Sequence, residues 1–446
     1  MFDSMLDTNI TGGWLLVAVY AVPALLAAVT VLRRPTRRWP TGRWTALVLG
    51  ACVVGAGVGL LTTWLVGDVF DVFGVTLSPV VRGAVALCFA GMLLGLLALR
   101  RSGTWHRVAA IALVLTVPIG AAATINIDFG QFVTVREVLG LSTIPKAVLP
   151  AITAAQGGPT TSIAEWTAPA DMPRAGRVGE VSIPGVVSGF AARPGVVYLP
   201  PAALVSDPPH LPVVVALSGQ PGSPSDVINA GHLATEMNTL ASMHDGLAPI
   251  VVIPDQLSAA HDVNPLCVDS PIGNSATYLT VDVPAWIRSH LNVASDRVNW
   301  AVAGFSQGGT CAIQLGAARS DLFGAIIDVS GELVPTLGSK AETIDKGFGG
   351  KPDAYAAAQP LALLSAHAPY SDTTAIFVVG SNDARFAPFA QKLSEAAQAA
   401  GMNASYLEAP GSAHDWVTGR FGLSTGIAML YPRFGLGSTD VQATTP

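Results

Sequence analysis

Charge is scarce in this chain. Only 12% of its 446 residues are Asp, Glu, Lys or Arg, while 50% are apolar and the mean hydropathy is positive. Such a balance is too apolar for a purely water-exposed protein and points to membrane spans. Basic residues are few, arginine far outnumbers lysine, and the net charge is −6, so outside the membrane loops no basic cluster could follow a nucleic-acid groove. Nucleic acid is therefore not an expected partner. Cysteine occurs at only four positions, and Cys52 and Cys88 fall inside apolar runs. There is no internal repeat, and neither a metal nor an organic cofactor is expected. The length allows two or three domains, and nothing in the pattern specifies an oligomer.

Four long apolar runs come first, Gly12–Leu32, Thr45–Val66, Val80–Leu99 and Val108–Ile127. Each has about 20 residues, enough to cross a hydrocarbon core of ~30 Å at ~1.5 Å per residue. The first run lacks the positive flank of a cleavable signal, because its arginines follow it. Arg33, Arg34, Arg37, Arg38 and Arg43 separate the first two runs, and Arg100, Arg101 and Arg107 separate the last two. The N-terminus, with Asp3 and Asp7, and the middle loop, with Asp68 and Asp71, carry neither Lys nor Arg. The positive-inside rule then puts both arginine loops in the cytoplasm. The N-terminus and everything after the fourth span are expected outside, in a multi-pass protein of the cell membrane. Trp14, Trp44, Trp64 and Trp105 lie near span ends, as interfacial tryptophans do, and Arg82 is placed to snorkel outward. No span carries the buried Asp, Glu or Lys that marks a transport path, so residues 1–127 read as an anchor.

Residues 128–176 read as an extracytoplasmic linker, with Thr153–Pro173 rich in Ala, Gly, Pro, Ser and Thr. From 177 to 435 the rhythm changes. Apolar runs at Leu211–Leu217, Pro249–Ile253, Val298–Ala303, Ala325–Val329, Thr374–Val379 and Ala404–Leu407 read as strands. Between them lie helical stretches near Ser275–Leu291, Gly309–Arg319, Asp353–Leu364 and Ala387–Ala400. Strands apolar throughout and alternating with helices predict a mostly parallel sheet covered on both faces. Val178–Ile183 and Gly195–Leu199 are expected as antiparallel edge strands. Residues 436–446 form a short polar tail, expected to be disordered.

One stretch carries the chemistry. The strand-like Val298–Ala303 runs into Gly304-Phe305-Ser306-Gln307-Gly308 and then a helix-compatible segment. Strand, tight turn and helix with a serine at the apex describe a nucleophile elbow, in which small residues two before and two after the serine let strand and helix approach. The motif recurs at Gly422-Leu423-Ser424-Thr425-Gly426, but no strand precedes it and no histidine follows, so Ser424 is expected to be an ordinary helix or loop residue. A serine needs a base to take its proton and a carboxylate to orient that base. Only His367 and His414 follow Ser306. His414, in a glycine-containing loop after the last strand, is the expected base. Asp383, just past the Thr374–Val379 strand, is the expected acid, with Asp328 and Glu332 one strand earlier as rivals; Asp415 should point elsewhere. The backbone N–H groups of Gln307 and of Gln220, in the loop Leu217–Pro224, are the expected oxyanion donors. Cys267 and Cys311 fall outside the membrane, where a bridge between them would tie the 264–271 loop to the elbow helix; the alternative is two unpaired thiols.

These pieces resemble the esterase D branch of the α/β-hydrolases, which includes the antigen 85 mycolyltransferases. The resemblance rests on Val197 to Pro201, Ser218 to Pro224, Gly304 to Gly309, Asp383 after its strand, and His414-Asp415-Trp416. It implies an α/β-hydrolase fold over 177–435; the four-helix transmembrane domain expected before it, read from the apolar runs, lies outside this resemblance. The resemblance also implies Ser306 as nucleophile, Asp383 as acid, His414 as base and Gln307 and Gln220 as oxyanion donors. Many relatives have histidine where this chain has Ser218. The four-span anchor leading through Asn126–Gly130 resembles membrane-bound esterase-like proteins of actinobacteria. The expected function is a membrane-tethered serine esterase or acyltransferase acting on ester or glycolipid substrates beside the bilayer; the alternative is a non-catalytic scaffold on the same fold.

Overall fold

Apolar side chains all round a helix leave it no polar face to turn to water, and the first third of the chain is built this way. In the computed structural model, which describes residues 5–32, 40–100, 103–141, 144–149, 163–259 and 264–437, it forms α1 (Gly13–Val31), α2 (Thr41–Thr63), α3 (Pro79–Leu99) and α4 (Thr104–Phe129). A π-helical stretch, Trp64–Val69, extends α2. All four helices are long and apolar enough to cross a membrane. The arginine-bearing residues 33–39 and Arg101, on which the orientation leans, lie outside the described residues. The chain divides into two compact units, Met1–Leu141 and Ser142–Pro446.

Within the first unit, Gly55 and Gly59 bring α2 against α3; a Cβ on either would run into the backbone around Ala90 or Ala86. Such close approach is what holds helices together where no hydrophobic drive separates protein from lipid. Trp44, near the start of α2, is buried beside Val48, Leu94 and Leu113, and its indole N–H donates to the Val31 carbonyl at 3.0 Å. The Arg82 guanidinium forms a two-pronged pair with Asp68, at 2.8 and 2.7 Å. Helix α4 ends at Gly130, whose φ of 64° suits the left-handed cap that glycine accepts at least cost.

The second unit is built on an eight-stranded sheet. Its strands are β1 (Arg177–Val181), β2 (Gly195–Leu199), β3 (Val213–Leu217), β4 (Ile250–Ile253), β5 (Trp300–Phe305), β6 (Ala325–Val329), β7 (Thr374–Gly380) and β8 (Asn403–Ala409). Their order is β1-β2-β4-β3-β5-β6-β7-β8, with β2 antiparallel to both its neighbours, β1 and β4, and every other pairing parallel. Strands β2 to β6 are buried along their whole length, which is why they read as unbroken apolar runs. The register sets Gly304 beside Leu217 on one side and Asp328 on the other, so the C-terminal ends of β3, β5 and β6 finish together. Loops that leave that edge converge on one place.

The helices that matter for the site are α5 (Leu233–Met243), α6 (Val283–His290), α7 (Gln307–Ala318), α8 (Ala387–Ala399) and α9 (Trp416–Met429). The expected helix near Asp353–Leu364 is two short ones, Pro352–Ala357 and Pro360–Ala366, because Pro360 has no N–H to continue the ladder. That near Ser275–Leu291 contains a π-helical stretch, Tyr278–Asp282, before Pro284. Inside the expected linker, Ala147 donates to the Glu180 carbonyl of β1 and Glu180 donates to that of Pro145. Residues 150–162 of that linker and 438–446 of the expected tail lie outside the described residues.

Candidate active site

Ser306 ends β5 and caps α7 with φ 58° and ψ −119°. A non-glycine residue rarely adopts this backbone, at a cost of about 1–3 kcal/mol that the surroundings must hold in place. They do so through the Ser306 N–H, which donates to the Val329 carbonyl of β6 at 2.8 Å, and through the Thr310 N–H, which donates back to the Ser306 carbonyl at 3.0 Å. The flanking glycines are required by contact. A Cβ at Gly304 would strike the backbone of Gly308, and one at Gly308 would strike the carbonyls of Leu217 and Ser218. The turn aims Oγ out of the sheet edge and points the first N–H groups of α7, which have no partner within the helix, toward the same space.

Two loops complete the constellation. His414 Nε2 lies 2.8 Å from Ser306 Oγ, and His414 Nδ1 lies 3.2 Å from Asp383 Oδ2. Both partners are almost out of solvent, with side chains 8% and 2% exposed. The Asp383 carboxylate also accepts the Phe386 N–H at 3.1 Å, which fixes its angle. The imidazole is wedged between the rings of Phe386 and Phe305, at 4.1 and 5.3 Å between centroids. Packed against both rings and held at Nδ1, it presents Nε2 to the serine.

The other residues weighed from the sequence lie elsewhere. Asp415 caps α9, accepting the Thr418 N–H at 3.0 Å and the Ala413 N–H at 2.9 Å, and so sets the loop that carries His414. Asp328 is buried under α7, where Oδ1 accepts the Gly331 N–H and Oδ2 has no partner; burial pushes its pKa up to about 7. The Glu332 N–H donates to Thr310 Oγ1. His367 sits at the end of the helix Pro360–Ala366. Ser424 is inside α9, its hydroxyl bonded to the Arg420 carbonyl, and Gly422 and Gly426 lie against Val329 and Ile327 of β6. The second glycine–serine motif is thus a helix-on-sheet contact.

The Leu217–Pro224 loop passes beside the nucleophile: a Cβ on Gly219 would stand 3.4 Å from Ser306 Cβ. It is tied down by Arg193, whose guanidinium pairs with the buried Asp255 at 2.8 Å and donates to the Gly222 carbonyl at 2.9 Å. Cys267 and Cys311 have Cα atoms 5.5 Å apart and bonded sulfurs, which staples residues 264–267 to α7. Gln256 and Asn264, which no sequence pattern singles out, reach the side chains of Gln307 and Gln220. Among the described residues no three His, Cys, Asp or Glu side chains gather as a metal would need.

A mostly parallel sheet in this strand order, with a serine on the turn after its fifth strand, defines an α/β-hydrolase. The chain belongs to the family described as "Putative esterase", whose model matches residues 192–424, and it is a carboxylic-ester hydrolase. An uncharacterized protein of Corynebacterium glutamicum is 31% identical over 336 residues, 74% of this chain and 77% of that protein. Among solved structures, a ferulic acid esterase superposes with a TM-score of 0.50 at 18% identity, covering 60% of this chain and all of its own. An S-formylglutathione hydrolase from Agrobacterium tumefaciens superposes with a TM-score of 0.49 at 20% identity, covering 59% of this chain and 97% of its own. At 18% identity the likeness to the ferulic acid esterase is one of fold.

Proposed function

We propose that the protein is a membrane-tethered, extracytoplasmic serine esterase or acyltransferase that works through Ser306, His414 and Asp383. The observation that carries this reading is the unbroken hydrogen-bonded chain from Ser306 Oγ through the imidazole to the Asp383 carboxylate. In the forward step Ser306 Oγ bonds to the ester carbonyl carbon while its proton passes to His414 Nε2. The carbonyl oxygen becomes an oxyanion facing the N–H groups of Gln307 and Gln220. Collapse breaks the ester C–O bond, and the leaving alkoxide takes the proton from His414. The acyl-enzyme then passes its acyl group to water or to a hydroxyl by the same steps reversed, with Asp383 steadying the imidazolium. Four apolar helices in the same chain support a substrate at or near the bilayer, a lipid or cell-envelope ester.

A fluorophosphonate probe tests the centre of this reading, because a serine reacts readily with such a phosphorus atom when a base and an oxyanion site serve it. Ser306→Ala should abolish labelling and Ser424→Ala should leave it intact. His414→Ala should lower hydrolysis of a short p-nitrophenyl ester by several orders of magnitude, and Asp383→Asn by somewhat less. Undiminished labelling of a folded Ser306→Ala protein would remove the serine mechanism. A folded wild type that is neither labelled nor active would favour a scaffold.

A further inference from the structure

Beneath the candidate oxyanion site runs a row of side-chain amides. Gln256 Nε2 donates to the Ser218 carbonyl at 2.6 Å and to Gln307 Oε1 at 3.1 Å. Gln307 Nε2 donates to Asn264 Oδ1 at 3.0 Å, and Asn264 Nδ2 donates to Gln220 Oε1 at 2.5 Å. Gln256 is fully buried and Asn264 is 1% exposed, so neither trades these bonds for water. The row has a direction. A carbonyl only accepts, so the Ser218 oxygen requires the NH2 end of Gln256, and each later amide must then follow in the same sense. The far end is fixed independently, since Asn264 Oδ1 also accepts the Leu266 N–H at 2.9 Å. Both anchors demand the same polarity.

The row begins and ends on one wall of the oxyanion site, the loop from Ser218 to Gln220, and passes midway through the other, Gln307 at the opening of the nucleophile helix. We propose that Gln256 and Asn264 are positioning residues that hold these walls at the spacing the developing oxyanion needs. The inference rests on the serine-esterase reading above. Neither residue touches substrate. Each acts through Gln307, Ser218 or Gln220, and chained amides that polarise one another resist the loop's drifting outward.

Asn264→Ala, Gln256→Ala and the near-isosteric Gln256→Glu test it, compared on a p-nitrophenyl ester and on a trifluoromethyl ketone. The ketone adds to Ser306 and leaves its oxygen as an oxyanion in the site, so its Ki reads transition-state fit. Each variant should lose on the order of 10- to 100-fold in kcat with KM little changed, the scale of a displaced catalytic group, and Ki for the ketone should rise in step. Gln256→Glu should also be damaging, since a carboxylate donates nothing and a protonated carboxyl has one proton for two acceptors, the Ser218 carbonyl and Gln307 Oε1. Should the buried variants fold poorly, the exposed end of the row serves: Gln220→Ala, which removes only the acceptor of Asn264 Nδ2, should lower kcat and raise the ketone Ki with KM little changed. Folded variants with kcat and ketone Ki within about 3-fold of wild type, or Gln220→Ala without effect, would overturn the inference while leaving the esterase reading standing. A wild type that is inert, or labelled at a serine other than Ser306, would overturn the reading itself and the inference with it.

Discussion

Asp328 and Asp383 come from neighbouring strands, and the sequence offers both as partners for a histidine. Their surroundings separate them. Asp383 meets His414 and a backbone N–H, whereas Asp328 has one N–H and an unpartnered oxygen in an apolar setting. Burial disfavours the charged form, so the Asp328 pKa stands at about 7 against an ordinary carboxylate value near 4. A pKa raised on folding means that the folded state holds the proton longer than the unfolded chain. The stability that this contributes is complete below about pH 4 and is lost as the pH climbs through about 7. Asp328→Asn, which cannot ionise, should therefore melt higher than wild type at pH 8 and near it at pH 4.5, a gap on the order of a few kcal/mol. Thermal unfolding at the two pH values checks this, and an equal offset at both would refute it. At this scale the sequence was legible where chemistry is local. Ser306 announces itself by its immediate neighbours, and His414 and Asp383 by their places after strands. Gln256 and Asn264 carry no such sign, because their pairing joins loops distant in sequence and an amide side chain looks alike in a core, a cap or a surface.

The elements show the same division. Of the six parallel strands, β3 to β7 stand out because burial on both faces forces apolar residues at nearly every position, whereas β8, a half-exposed edge strand with Asn403, Ser405 and Glu408, shows only a short apolar run; all six end within two residues of the apolar runs. Helix α9 did not stand out. Its glycines and serine mimic an elbow, and only its contact with β6 shows why small residues recur there. Pro360 marks the break between the two short helices that one apolar stretch spans. The Cys267–Cys311 bridge belongs to this scale, because it joins a loop to a helix. It closes a loop 44 residues apart in sequence, a constraint typically worth ~2–4 kcal/mol. Peptide mapping without reductant should find the two cysteines linked. Reduction should lower the melting temperature and slow ester hydrolysis together, since Asn264 lies three residues before Cys267. Alkylatable thiols at both positions, in protein isolated without reductant, would end that account.

For the whole molecule, the question is which side of the membrane the hydrolase unit occupies. Arginine-bearing loops between α1 and α2 and between α3 and α4 favour an outside N-terminus and an outside catalytic unit. A reporter active only beyond the cytoplasm should be active when fused after Pro446 and silent when fused within 33–43; the reverse pattern would invert the topology and remove the envelope substrate. At Gly304 and Gly308 the backbone of β5, α7 and the loop after β3 meet so closely that not one methyl group fits. Those two positions are closed to evolutionary drift for as long as strand, helix and loop keep this approach. A lineage that abandons the chemistry can lose Ser306 while the contact stays, so among this chain's descendants the two glycines should outlast the serine.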